Sequence, residues 1–329
     1  MPSPARALPV ERSLVWAVLR AGQWVHFLAL PAAGLDGALL DRPAALSLRL
    51  AASAGVAALA LAYAYGLNAI SDRATDLDAG KNPLAGVAGC PPSIVALMIA
   101  VGAAALIAGA ALGQLVAITV SLAAATVYSI GPRLKRLPFL GTALNAAIFV
   151  PLLFLARAGG SPPAFALLVV TFALLLLQNQ LLHERADAVE DSASGARTTA
   201  TLLGDRATRA LALVLGLAGI AASLVFAPSP GIAAIAAAVL IAASLVANGY
   251  PKSHVGKPRL DVGKPRLDIG KLRLGIGKPQ LHVGEPRLHI GKLRLDREEP
   301  KMDWAQRRVL HRAVAFVGGA LLYLAIRLA

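Results

Sequence analysis

Apolar residues in this chain come in long unbroken runs instead of alternating between core and surface positions. The runs fall near residues 14–34, 44–67, 93–112, 114–130, 138–157, 163–183, 207–227, 230–249 and 309–327. Each is close to the roughly 17–25 residues a helix needs to cross a hydrocarbon core. The pattern predicts nine spans. Ala, Leu and Gly dominate them, and small residues let membrane helices approach closely. Spanning β-strands would alternate over about ten residues, and the sequence has no such alternation. The expected fold is therefore all-α, a polytopic membrane bundle of nine transmembrane helices.

Lys and Arg orient the bundle. With the N-terminus inside, the inner loops carry Arg73 and Lys81, then Arg133, Lys135 and Arg136, then Arg185, Arg197, Arg206 and Arg209. The outer loops hold few basic residues beyond Arg42 and Arg157. This is the positive-inside pattern and predicts an inner-membrane protein with a cytoplasmic N-terminus. The first run is a poor signal peptide, because Arg20 and Gln23 interrupt it. Composition agrees with a membrane protein: 57% of residues are apolar and 15% charged, against about 25% charged in typical soluble domains. The single cysteine, Cys90, excludes an intrachain disulfide.

The net charge of +14 is partly local. Residues 251–300 hold twelve Lys/Arg and six Asp/Glu and so contribute +6. In a chain this apolar, such charge suits an anionic lipid leaflet rather than nucleic acid. Within it, residues 255–296 are six tandem heptads, from VGKPRLD to IGKLRLD. Each copy has Gly at its second position, and four have Pro at the fourth: Pro258, Pro265, Pro279 and Pro286. Proline inside a helix costs about 3 kcal/mol and glycine about 1 relative to alanine, so a coiled coil is excluded. The expected organisation is helices one to eight over 1–250, a basic, disordered cytoplasmic loop over 251–306, and the ninth helix over 307–329. The loop either contacts lipid headgroups or is an expansion tolerated on the surface, since loop-closure cost grows slowly with length. The sequence favours the second reading.

Acidic residues are scarce and clustered. Only eleven precede residue 250, and seven of these lie in two segments, Asn68–Asp78 and His183–Asp191. Asn68, Asp72 and Asp76 are spaced i, i+4, i+8, and Asp187 and Asp191 are spaced i, i+4, with Glu184 three residues earlier. On a helix these intervals form one stripe, with neighbours about 6 Å apart along the axis. Like charges on a stripe repel, so local stability does not explain them. A buried Asp costs roughly 2.5–3.5 kcal/mol even on the mildest insertion scale. The stripes must therefore meet water or a cation. Magnesium fits, because it takes hard oxygen ligands and is commonly held by one or two carboxylates together with substrate phosphates. Arg133, Lys135, Arg136 and Arg197 lie on the same face and can supply further anion contacts. Asp78 and Glu190 point off the stripes and read as bystanders.

At these residues the chain resembles the UbiA-type superfamily of intramembrane prenyltransferases. Asn68, Asp72 and Asp76 fill its N-x-x-x-D-x-x-x-D motif, followed by Lys81-Asn82-Pro83. Asp187 and Asp191 fill its D-x-x-x-D motif, followed by Gly195, Arg197 and Thr198. Between them, Tyr128-Ser-Ile-Gly-Pro-Arg133-Leu-Lys135-Arg136 is similar to the family's Tyr/Lys loop. The chain departs from the common pattern at Ala69 and at Arg20-Ala21, which leaves the subfamily open.

The resemblance implies a central cavity within the bundle and a prenyl diphosphate held through Mg2+ at the cytoplasmic rim. The prenyl group would pass to a hydrophobic or aromatic acceptor. It implies that Asp72, Asp76, Asp187 and Asp191 are the catalytic metal ligands, that Asn68 orients the first group, and that Lys135 and Arg197 bind phosphate, with Arg133 beside them. Arg20 either reaches the diphosphate or snorkels to the interface. Tyr128 either stacks near the developing cation or anchors the interface, and the neighbouring motif favours the first. His183 is either a proton carrier or structural. Two alternatives stay open: a transferase using another diphosphate donor, such as phosphoribosyl diphosphate, and an ion-coupled transporter, whose acids would lie deeper in the spans.

Overall fold

The computed structural model describes residues 12–35, 43–76, 82–85, 87, 89–131, 133–157, 162–193, 195–227, 229–248 and 304–328. The heptad segment, Asp78 and Lys81 lie outside the described residues. Among those described, the secondary structure is entirely helical. The helices are α1 (Arg12–Leu19), α2 (Ala21–Trp24), α3 (Leu30–Ala33), α4 (Pro43–Asp72), α5 (Pro92–Ala111), α6 (Leu115–Ser129), α7 (Leu140–Phe149), α8 (Pro162–Ala193), α9 (Thr199–Phe226), α10 (Pro230–Asn248) and α11 (Trp304–Leu328). The 3-10 segments are Val25–Ala29, Leu134–Arg136 and Val150–Phe154.

Long helices form where the apolar runs predict them. Four begin with proline, at Pro43, Pro92, Pro162 and Pro230. The first turn tolerates a missing N–H, and a fixed φ suits it. Among the described residues, six helices are long and apolar enough to cross a membrane. With the family membership described below, they make this an integral membrane protein. The expected count of nine spans is not matched by nine such helices. The fourth and fifth runs give shorter helices, Leu115–Ser129 and Leu140–Phe154. Fifteen residues rise only about 22 Å, short of a core about 30 Å thick.

The first run is broken. Arg20 sits in the left-handed region at φ 52°, and Val25–Ala29 is wound as 3-10 helix. Gly22 and Pro31 disfavour a straight helix, and Arg20 and Gln23 are polar interruptions of the apolar run. The Trp24 indole N–H spans the break to the Leu19 carbonyl at 2.6 Å. The last helix starts at Trp304, three residues before the expected boundary at 307.

Small residues bring the helices together. Val56, Ala57, Ala60 and Leu61 of α4 pack with Leu122 and Ala125 of α6 and with Ile148, Phe149 and Leu152. At Gly34 a Cβ would collide with the Leu153 backbone, so glycine allows α3 to lie directly against the end of the α7 segment. Buried polar groups are tied across helices, as low-dielectric surroundings require. Ser53 donates to Leu155 O at 3.0 Å and Ser121 to Ile148 O at 2.7 Å. Gln178 of α8 is a hub. Its Nε2 donates to Ala212 O on α9 at 2.8 Å and to Ser244 Oγ on α10 at 2.9 Å. Its Oε1 is then the acceptor for His311 Nε2 of α11 at 3.2 Å. One amide thus joins four helices.

Candidate active site

The C-terminal parts of α4, α6 and α8 and the N-terminal part of α11 surround a cavity of about 860 Å³. On α4, Asn68 and Asp72 share one face and both line it. The helix ends at Asp72, so Asp76 is not the third step of a helical stripe, as the spacing predicts. A turn places it instead. The amides of Thr75 and Asp76 both donate to Asp72 O, at 2.9 and 2.8 Å. Asn82, fully buried, donates from Nδ2 to Asp76 Oδ2 at 3.1 Å and to Ala69 O at 3.0 Å. Its Oδ1 accepts from the Leu84 amide at 3.0 Å. Asp76 therefore still faces the cavity, held from outside the helix.

After α6 the chain reverses through Gly131 and Arg133, both at positive φ. The 3-10 turn that follows directs Lys135 at the first stripe. Its Nζ donates to Asn68 Oδ1 at 2.8 Å and to Asp72 Oδ1 at 2.5 Å. Arg133 Nη2 donates to the same Asp72 oxygen and to Ser71 O, both at 2.8 Å. Burial pushes the Lys135 ammonium pKa below its ordinary value, while Asp72 pulls it back up. Lys135 also lies 6.0 Å from the centre of the Tyr128 ring, which is part of the cavity wall. Gly141 packs against the Lys135 backbone, where a Cβ would come within 2.7 Å of the carbonyl oxygen.

The second motif is embedded in α8, which runs on to Ala193. Asn179, His183, Asp187 and Asp191 follow one another at four-residue intervals, and all line the cavity. His183 Nδ1 lies 3.2 Å from Asp187 Oδ2 and 2.9 Å from Arg308 Nη1. That nitrogen donates to the carboxylate or accepts from the guanidinium, one at a time. Glu184 also lines the cavity, and its carboxylate is tied to neighbouring elements. The Phe139 amide donates to Thr199 Oγ1 (2.9 Å), Thr199 to Thr142 Oγ1 (2.7 Å), and Thr142 to Glu184 Oε1 (2.7 Å). The Ala200 amide donates to Glu184 Oε2 at 3.2 Å. Arg185 pairs with Asp205, which fastens α8 to α9.

Of the residues singled out by sequence, the cavity gathers Arg20, Asn68, Asp72, Asp76, Tyr128, Lys135, Arg136, Asp187 and Asp191, with His183 and Glu184 also on its wall. Arg133 touches Asp72 without lining the wall, and Arg197 is exposed between two residues that do line it, Ala196 and Thr198. Sequence reasoning missed Asn179, Gln180, Arg308 and Arg312, which also line the cavity. The signal for the arginines was present, two cations four residues apart at the start of an apolar run. That for Asn179 was its place four residues before His183. Among the described residues, no three His, Cys, Asp or Glu side chains already form a metal cage.

A second, apolar chamber of about 260 Å³ adjoins the cavity. Leu153, Leu168, Phe172 and Leu175 help line it, and it shares Phe27, Leu176, Asn179, Arg312 and Phe316 with the polar cavity. A charged cavity and a hydrocarbon-lined chamber therefore lie side by side and share a wall.

The profile of the UbiA prenyltransferase family matches residues 26–254, and this chain belongs to that family. Solved structures of a UbiA homolog from Archaeoglobus fulgidus share the fold. The homolog bound to GPP and Mg2+ has a TM-score of 0.60 and 17% identity, covering 96% of this chain and 100% of the other. The form bound to DMAPP and Mg2+ has a TM-score of 0.59 and 17% identity, covering 94% and 98%. A further structure of the homolog is 22% identical over 71% of this chain and 85% of its own, with a TM-score of 0.57. No curated protein matches the chain.

Proposed function

We propose that this chain is a magnesium-dependent prenyltransferase that moves a prenyl group from an allylic diphosphate to a hydrophobic or aromatic acceptor within the membrane. The observation that carries this reading is the pairing of two adjacent spaces. Carboxylates of α4, of the turn after it and of α8 line one polar cavity, and an apolar chamber shares its wall. A diphosphate with a hydrocarbon tail matches both ends. The chamber favours an isoprenoid donor over a phosphoribosyl one, and the acids at helix ends favour transfer over ion-coupled transport. The homolog with GPP or DMAPP and Mg2+ bound adds support.

The donor set fits magnesium. Asp72, Asp76, Asp187 and Asp191 would hold it, alongside water and phosphate oxygens, in the few-carboxylate manner typical of this ion. Such an ion supplies positive charge that stabilises diphosphate as a leaving group. The chain's own groups do the rest. Lys135 steers Asn68 and Asp72 and offers a charge-assisted donor to phosphate oxygens. Arg133 keeps Asp72 aimed, and Asn82 does the same for Asp76. The allylic C1–O bond breaks and its electron pair leaves with diphosphate. The acceptor then attacks the allylic cation and afterwards loses a proton. The apolar chamber keeps water from capturing that cation. The charged rim faces the cytoplasm of an inner membrane in this reading.

Purified protein should be assayed with magnesium, allylic diphosphates of several lengths, and a panel of quinone-precursor, tetrapyrrole and lipid-alcohol acceptors. At least one prenylated product is expected. No product with any prenyl donor would overturn the reading.

A further inference from the structure

The last helix carries two cations that the motifs do not account for. Arg308 and Arg312 lie one turn apart on α11 and both line the polar cavity. They face the Asn179–His183 turn of α8 like rungs of a ladder. Arg308 Nη1 meets His183 Nδ1 at 2.9 Å, and Arg312 Nε donates to Asn179 Oδ1 at 3.3 Å. Both of these partners are neutral when they accept. Among the described residues neither arginine forms an ion pair. The neighbouring arginines contrast with them: Arg185 is paired with Asp205, and Arg307 caps the Val246 carbonyl at 3.4 Å.

Two like charges at i, i+4 repel, and a cation within a membrane-spanning helix is costly unless it is paired or serves a substrate. This is the same argument that the carboxylate stripes raise, with the sign reversed. Arginine's planar fork suits phosphate and carboxylate oxygens. Position adds a second constraint, because Arg312 also lines the apolar chamber. It therefore stands where a substrate's charged head would meet its hydrocarbon part.

We propose that Arg308 and Arg312 form a second anion-binding arm of the cavity, separate from the loop cations Arg133 and Lys135, which grips phosphate or carboxylate oxygens of a substrate. The inference rests on the prenyl-transfer reading and deepens it. The anion belongs either to the donor diphosphate or to an acidic group on the acceptor.

The full chain should be purified as wild type, Arg308→Gln, Arg312→Gln and the two lysine variants. Inorganic diphosphate with magnesium is titrated by calorimetry, and KM is measured for a prenyl diphosphate and for matched anionic and neutral acceptors. A Kd for diphosphate raised roughly 10- to 100-fold, the worth of a charge-assisted hydrogen bond, assigns the arm to the donor. Unchanged diphosphate binding with a similar rise in KM for anionic acceptors alone assigns it to the acceptor. Glutamine variants that fold and keep wild-type values in both assays overturn the proposal. Should they not fold, the lysine variants retain charge but lose the fork, and wild-type affinity in them overturns it equally. Absence of turnover in every protein would count against prenyl transfer, while the diphosphate titration would still report on the arginines.

Discussion

Asp72 Oδ1 receives two cations at once, and that crowding sets what single residues can be asked to show. Lys135 loses its proton at a lower pH than an ordinary lysine, because burial lowers its pKa. Donor binding that depends on this cation must weaken as pH rises through the lowered value. In Lys135→Arg the charge persists to far higher pH, so the alkaline fall in donor affinity should move upward. A plot of donor KM against pH checks this, and an identical alkaline limb in both proteins would contradict it. Asn82 offers a second test. Asn82→Ala removes the donors that hold Asp76 and Ala69 O. The magnesium concentration for half-maximal stabilisation by inorganic diphosphate should rise roughly tenfold, the worth of about 1.4 kcal/mol, in a thermal-shift titration. Asp72, Asp187 and Asp191 were legible from spacing alone. Asp76 was legible as a residue but not as a geometry, since a helical rule cannot see the turn that Asn82 completes.

Helices were read from the sequence to the extent that their apolar runs were continuous. α4, α5, α8, α9 and α10 follow runs without an internal break in the pattern. The first run does not form a straight helix, because Arg20, Gly22 and Gln23 fall within four residues of one another and the chain breaks there. Polar residues inside runs carry the other information that apolar counting discards. Gln178 lies in the middle of one, yet it binds α8 to α9, α10 and α11. Gln178→Leu would leave Ser244 and His311 short of a partner, at a cost of about 1–3 kcal/mol. The expected result is a lower melting temperature in detergent with donor KM unchanged. Glu184 is the opposite lesson. It sits in the second acidic segment, but the Thr199–Thr142 chain and the Ala200 amide satisfy its carboxylate. Glu184→Gln should lower the melting temperature more than it lowers turnover at 25 °C, which parallel melts and rate measurements would show.

For the whole molecule, the adjacent polar cavity and apolar chamber matter more than any one helix. Their walls draw on the start, middle and end of the chain, and no local pattern announces which apolar side chains turn inward. The sequence could place the charged end because charge is rare in these spans. It was silent on the hydrocarbon end because Ala and Leu look alike on every face. The heptad segment lies outside the described residues. α10 and α11 already pack directly through Val239, Leu240, Ala243, Val314 and Ala315, so a shorter connection would serve. Deleting residues 255–296 is expected to leave the donor KM and turnover of the purified protein unchanged. A large loss in detergent would assign the segment a part in the site.

The central claim is that the facing stripes on α4 and α8 hold a diphosphate through magnesium. Its most direct measurement is magnesium-dependent prenyl transfer by Asp72→Asn and Asp187→Asn, each checked for an unchanged melting temperature. A loss of at least about 100-fold in each is expected, in line with removing a group that stabilises developing charge. Full magnesium-dependent activity in both variants would contradict the assignment.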